Sequence, residues 1–276
     1  MSLTRMTRMI ALAASVAFCQ PLWAADGFAP KIGQAGKDVI WVPTPDALVE
    51  RMLDMAKVTD RDYVVDLGSG DGRTVIAAAK RGAQAVGIEY NGDMVEIARR
   101  NAQAAGMAAK ATFQQGDIFA TDFSKATVVT MYLLSSLNLK LRPTLLKMKP
   151  GTRLVSHAFT MAEWDPDETA TIEGSSAYLW IVPANVQGRW EAKGPNGAFA
   201  LTLEQTFQKV RARGNVQGGS AEIGNAVLSG PELSFTMSDE AGRALKFHGT
   251  VVGNTIEGTV NGTGATNSRW SPNRVN

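Results

Sequence analysis

The residues richest in chemistry lie between Tyr63 and Gly72, in the run Y-V-V-D-L-G-S-G-D-G. Gly68, Gly70 and Gly72 alternate with Ser69 and Asp71, and Asp66 stands just ahead of them. Glycine accepts φ > 0 and lets backbone approach a bound molecule, while a helix start behind the glycines offers unpaired N–H groups. A dinucleotide turn of the G-x-G-x-x-G type would need glycine or alanine where Arg73 stands. Carboxylates before and inside the turn repel pyrophosphate and suit a ligand with cationic groups. The expectation is a small-molecule site at a strand–turn–helix junction, and a nicotinamide oxidoreductase is disfavoured.

The elements that must position these residues follow from periodicity. Tyr63–Leu67 reads as a short buried strand and Thr74–Lys80 as a helix. Ahead of them, Thr44 and Pro45 of W-V-P-T-P read as N-cap and first residue of a helix bearing Leu48, Met52, Met55 and Ala56 on one face. A second strand, Ala85–Glu89, ends in an acid that can accept two hydrogen bonds from a ribose diol, and Gly92–Ala104 is helical. A third strand, Ala111–Gln114, leads to Asp117, a candidate acceptor for an adenine amino group, with Ile118 placed to pack on the ring. The fourth strand, Thr127–Met131, delivers Tyr132, whose hydroxyl is placed to orient an amine. A helix over Leu139–Lys149 is expected despite Pro143, then a fifth strand, Arg153–His157. His157 is a candidate proton acceptor by position and ordinary pKa. Tyr132 and His157 are thus the candidate catalytic pair.

Strands and helices alternate from residue 46 to 157, which predicts a Rossmann-like α/β sheet with helices on both faces. Such sheets bind ligands at the carboxyl ends of their strands, where Asp66, Glu89, Asp117 and Met131 would meet. Glu168–Glu173 and Ala177–Val182 would add an antiparallel pair. From about Pro183 the texture changes to turn-separated β-patterned runs near Arg189–Glu191, Phe199–Phe207, Val210–Arg213, Glu222–Leu228, Leu233–Met237, Lys246–Val252 and Thr255–Val260. Gly253-Asn254 is a two-residue hairpin signal. Residues 183–276 are therefore expected to form a small antiparallel β-rich domain, a barrel or sandwich, with Trp190 and Trp270 in its core.

Residues 1–25 stand apart: Arg5 and Arg8 precede an uncharged run from Met9 to Phe18, and Ala24 and Ala25 follow. That is the pattern of a secretory signal, and it predicts a periplasmic or secreted protein. Retained uncleaved, the segment would instead give membrane association through an N-terminal anchor. The lone cysteine, Cys19, falls inside it, so the mature chain would have no disulfide framework. Two histidines and no mature cysteine suggest no zinc site. A net charge of +2 without a long basic run gives no reason to expect a nucleic-acid partner.

D-L-G-S-G-D-G resembles the first motif of class I S-adenosylmethionine (SAM) methyltransferases, whose ligand carries a sulfonium and an ammonium and no phosphate. With W-V-P-T-P, V-G-I-E, Q-G-D-I-F and P-G-T-R-L-V-S-H-A-F in that order, residues 41–165 resemble bacterial class I enzymes related to the mitochondrial lysine methyltransferases that modify the ATP synthase c-ring protein and the adenine nucleotide carrier. The resemblance implies a methyltransferase domain over 38–182 and SAM as cofactor. It places Asp66, Gly68, Ser69, Gly70, Asp71 and Gly72 around the methionine end, Glu89 on the ribose, and Asp117 and Ile118 at adenine. It also implies that Pro43-Thr44-Pro45 folds over the cofactor. The methyl acceptor is then an amine, a protein lysine or a small molecule. The alternative expectation is a non-catalytic SAM- or nucleoside-binding envelope protein whose β domain binds a ligand or partner.

Overall fold

A computed structural model describes residues 28–194, 197–216, 219–238, 244–262 and 265–275. The stretch read as a secretory signal, 1–25, and Cys19 with it, lie outside the described residues. The first half of the chain winds a seven-stranded sheet in the order β3-β2-β1-β4-β5-β7-β6. Its strands are β1 (Tyr63–Leu67), β2 (Gln84–Glu89), β3 (Ala111–Gln115), β4 (Val128–Met131), β5 (Arg153–His157), β6 (Glu168–Ile172) and β7 (Ser175–Ile181). The first five are parallel, and β7 runs antiparallel between β5 and β6.

Sheet and helices interlock through the alternation of the strands. Val64, Val128 and Val155 pack into one layer with helices α1 (Asp46–Met55), α2 (Arg73–Lys80) and α3 (Gly92–Ala104). Val65, Val129 and Leu154 point the other way, into a layer with Leu141 and Leu145 of α4 (Ser135–Leu145) and with Trp164 and Trp180. Burial on both faces is why these strands read as nearly unbroken apolar runs. The chain leaves β1 for β2 and β3, then returns to β4 on the other flank. The carboxyl ends of β1 and β4 therefore form the crevice where such sheets take ligands.

Two helix readings are corrected. Thr44 does not cap α1: the helix opens behind Pro45 with no side-chain cap, and the Thr44 hydroxyl meets the His157 ring instead. α4 occupies Ser135–Leu145, earlier than the expected 139–149. Its buried face, Asn138, Leu141 and Leu145, fixes the start by packing. Its end tightens into i→i+3 bonds, Lys147 N–H to Thr144 and Met148 N–H to Leu145, which is how helices commonly close their last turn.

The second half forms a nine-stranded antiparallel sheet of β8 (Gly188–Gly194), β9 (Gly197–Thr206), β10 (Lys209–Val216), β11 (Gly219–Ser229), β12 (Glu232–Ser238), β13 (Ala244–Val252), β14 (Thr255–Gly262), β15 (Ala265–Trp270) and β16 (Asn273–Val275). β13 pairs with β14, and β16 bridges β14 to β8, so the sheet curls into a nearly closed barrel. Of the two expected architectures, barrel and sandwich, the barrel is found. Its interior is filled: Trp190 and Trp270 are fully buried, and Trp270 stands edge-on to Phe235 and Phe247 at 5.5 and 5.2 Å. β13 and β14 turn at Gly253-Asn254, as the hairpin signal requires. β15 and β16 go beyond the expected strands, because A-T-N-S-R-W and N-R-V lack an apolar alternation. They are strands because β14 and β8 offer them edges to pair with.

The barrel seats directly on the first sheet. Phe207 stacks on Trp164 at 5.7 Å, Gln208 donates to the Asp165 carbonyl, and Ala184 N–H donates to the Gly230 carbonyl. Among the described residues no helix is long and apolar enough to cross a membrane.

Candidate active site

A cavity of about 510 Å³ opens at the carboxyl ends of β1 to β4. It is lined by Pro43, Thr44, Asp66, Gly68, Ser69, Gly70, Asp71, Glu89, Asp117, Ile118 and Tyr132 among others. Gly72 and His157, the other two residues singled out by sequence, are not on its wall.

The glycine turn is built by backbone. Gly68 and Ser69 N–H both donate to the Ile88 carbonyl at 2.9 and 3.1 Å, binding the turn to the end of β2. Gly72 stands at φ 83° as the residue before α2, and a Cβ there would lie 2.6 Å from Phe113 and 2.9 Å from Ala98. Its role is thus close packing of the turn against α3 and β3, which keeps it off the cavity wall. Gly70, at φ 52°, leaves room for Trp41, whose indole nitrogen would sit 2.5 Å from an added Cβ.

Three acids reach the cavity in three electrostatic states. Asp66 is buried and accepts the Thr130 hydroxyl at 2.6 Å. Burial pushes its pKa up to about 7, with the charges of Glu89 and Asp71 adding to the rise. A buried carboxylate in this state gains most from a cation. Glu89 uses one oxygen for Gly70 N–H and the other for Asn91 N–H, both at 3.0 Å, which aims the carboxylate and leaves lone pairs for further donors. Asp117 accepts Phe119 N–H and, at 2.6 Å, the Lys37 ammonium, which together hold its carboxyl below the usual range.

Asp71 differs from its expected part. It lines the cavity, but its carboxylate is engaged by the Arg73 guanidinium, with the shortest contact 2.7 Å. The same arginine donates to the Thr44 carbonyl at 2.9 Å. Arg73, which spoils a dinucleotide turn, here clamps the segment that covers the site.

That segment is not legible as structure in the sequence. Residues 33–41 fold into a small hairpin, with Gly33 N–H on the Trp41 carbonyl, Trp41 N–H on Gln34, and an Ala35–Ile40 bridge. With Val42, Pro43 and Thr44 it forms a strap along the cavity. Lys37 at its tip also lies over the Tyr90 ring, 4.9 Å from the centroid. The lone signals are the aromatic and proline pattern of W-V-P-T-P and a lysine ahead of it.

The opposite wall carries Tyr132, Leu133, Leu134, Leu137 and Phe159. His157 lies behind Tyr132, with ring centroids 3.7 Å apart and stacked. Its Nδ1 is 3.1 Å from the Thr44 hydroxyl, and burial lowers its pKa to about 4. A neutral ring of such weak basicity, off the wall, does not accept a substrate proton, and that expectation is corrected. Among the described residues no cluster of His, Cys, Asp and Glu is arranged for a metal ion.

Comparison with known proteins agrees with this geometry. The ANTKMT methyltransferase domain model matches residues 66–168, and a DNA methylase model matches 18–100. A protein-lysine N-methyltransferase of Saccharolobus islandicus (strain REY15A) is 44% identical over 151 residues, which span 52% of this chain and 94% of that protein. The human enzyme named as the lysine N-methyltransferase of the ATP synthase c-ring protein is 34% identical over 166 residues, 59% of this chain and 70% of that one. A crystal structure of an RNA methyltransferase from Salinibacter ruber in complex with S-adenosyl-L-homocysteine superposes with a TM-score of 0.51 at 52% identity, covering 52% of this chain and 96% of that one. With the strand order and the acid-rimmed crevice already in place, these likenesses settle the lineage: the chain belongs to the ANTKMT family of class I SAM-dependent methyltransferases.

Proposed function

We propose that this cavity binds SAM and that the chain methylates the side-chain amine of a protein lysine. The observation that carries the reading is Asp66, a buried carboxylate at the strand switch whose hydrogen-bond partner is a neutral threonine rather than a cation. A ligand with a fixed positive charge supplies what that carboxylate lacks. Glu89, aimed by two backbone N–H groups, suits a diol, and Ile118 beside Asp117 suits the adenine. SAM, when bound, supplies a methyl group already activated by its sulfonium. The chain's part is then to align and to exclude water. The apolar wall of Leu134, Leu137 and Phe159 favours an amine in its neutral, nucleophilic form. Its proton leaves to solvent before transfer, and the Tyr132 hydroxyl orients the lone pair.

The protein-lysine acceptor is supported by the names of the archaeal and animal relatives. An RNA acceptor is the second reading, favoured by the Salinibacter relative, which is described as an RNA methyltransferase. Transfer of labelled methyl from SAM into a protein extract and into total RNA decides between them. Label in acid-stable methyl-lysine, lost in Asp66→Ala, is the expected result; label in RNA alone would overturn it. Residues 1–25 are read as an export signal, with an uncleaved anchor as the other outcome, and N-terminal sequencing of the mature protein distinguishes them. The two-domain division at 38–182 and 183–276 is tested by where limited proteolysis first cuts.

A further inference from the structure

We infer that His157 is a positioning residue that ties the strap to the wall where the acceptor would enter. The functional meaning of that tie rests on reading the cavity as the methyltransferase site; the tie itself does not.

Thr44 is held from two sides. Its carbonyl accepts from Arg73, which belongs to the glycine turn, and its hydroxyl meets His157 Nδ1 at 3.1 Å in a buried contact. His157 in turn backs Tyr132, ring on ring at 3.7 Å with 28° between planes. Tyr132 and Phe159 follow in the same stack at 6.1 Å and 25°. One imidazole therefore touches both a strap residue and a residue of the facing wall.

The imidazole is itself fixed. His157 ends β5, and the chain then reverses tightly: Phe159 N–H donates to the His157 carbonyl at 2.8 Å, and Ala158 stands at φ 63° with its N–H on Ser176. The turn puts His157 behind the wall and Phe159 on it. A rigid, neutral ring with one nitrogen toward Thr44 and one face toward Tyr132 is suited to set their separation. It is not placed to exchange protons with a substrate. Closure of the strap and the shape of the acceptor wall would thereby depend on each other.

The test uses the full chain and three single substitutions. His157→Phe keeps a ring against Tyr132 but removes the partner of Thr44. Thr44→Val removes the hydroxyl from the other side at similar volume. His157→Asn restores a hydrogen-bonding group near the Nδ1 position without the ring. Hydrogen exchange of the Gly33, Gly36 and Trp41 amides in the ligand-free protein reports the strap, and calorimetric titration with S-adenosylhomocysteine reports the cavity. His157→Phe and Thr44→Val should each speed strap exchange about five- to tenfold, the size of one net hydrogen bond. The double variant should be no worse than either single one, because both remove the same contact. His157→Asn should recover most of the protection. Unchanged exchange in Thr44→Val, or additive effects in the double variant, would overturn the tie. The ligand-free exchange arm stands apart from the cofactor reading: a parent protein that fails to bind S-adenosylhomocysteine sinks that reading while the exchange result still judges His157.

Discussion

Asp66 concentrates the energetics of the site in one side chain. Its carboxyl is pushed from an ordinary value up to about 7 by burial, so the folded protein holds this proton more tightly than the unfolded chain does. The sign follows: its contribution to stability is greatest at low pH and falls as pH rises from about 4 to about 7, because ionising it in place costs more than ionising it in water. Asp66→Asn, which keeps an acceptor for Thr130, should raise the stability of the ligand-free protein at pH 8 by about 2–4 kcal/mol and change it little at pH 4. Thermal denaturation at the two pH values checks this. The same variant should bind SAM roughly thirtyfold more weakly, the loss of one buried charge-assisted contact, as read by calorimetry. Asp66, Glu89 and Asp117 are legible in the sequence because each ends a strand and the strand order puts those ends together. Their partners are not: Thr130 meets Asp66 only through the β1–β4 register, and Lys37 meets Asp117 across 80 residues of chain.

The strap is the element on which access to the cavity depends. Its tip is held by the Lys37–Asp117 ion pair, with both side chains about a third exposed. Such a pair adds little to global stability. Lys37→Ala should therefore leave the melting temperature within about 2 °C while raising the rates of SAM association and release together, which stopped-flow fluorescence of Trp41 would follow. Equal rates in parent and variant would show that the tip does not gate the cavity. Gly70 sits under the same strap, and Gly70→Ala meets both a left-handed φ and the Trp41 indole. Affinity for SAM should fall at least tenfold with the far-ultraviolet circular dichroism unchanged. At this scale the sequence is informative wherever periodicity runs for several turns or a full strand, as in α3 and β5, whose bounds agree with expectation. It misleads where two partners compete for one side chain. Thr44 has the chemistry of a cap, but a tertiary partner takes the hydroxyl.

As a whole, the molecule is a methyltransferase sheet with a barrel seated on it, and the contact between them is aromatic as well as polar. Phe207 reaches from the barrel onto Trp164, and Arg142 lies over the Phe207 ring at 5.6 Å. Phe207→Ala should cost about 1–3 kcal/mol, since the ring is only partly buried, and urea denaturation of the full chain would measure it. A wholly unchanged midpoint would mean that the two sheets are held elsewhere. The alternation of strands and helices through residue 157 makes the first sheet readable, and the glycine-rich, turn-spaced pattern beyond Pro183 makes the second readable in kind. The closing strands of the barrel are not, because β15 and β16 exist through the neighbours they pair with rather than through an apolar pattern of their own.

The bond between Asp66 and Thr130 has a consequence for how the chain finds its fold. β1 and β4 are sheathed in valine, leucine and methionine, which pair almost equally well in several alignments. A slip of one residue would turn Thr130 to the opposite face and strand Asp66 among hydrocarbons with no donor at all. The polar pair thus serves as an address within an otherwise uniform stretch, and the group that waits for the ligand also tells the folding chain when two central strands are in step.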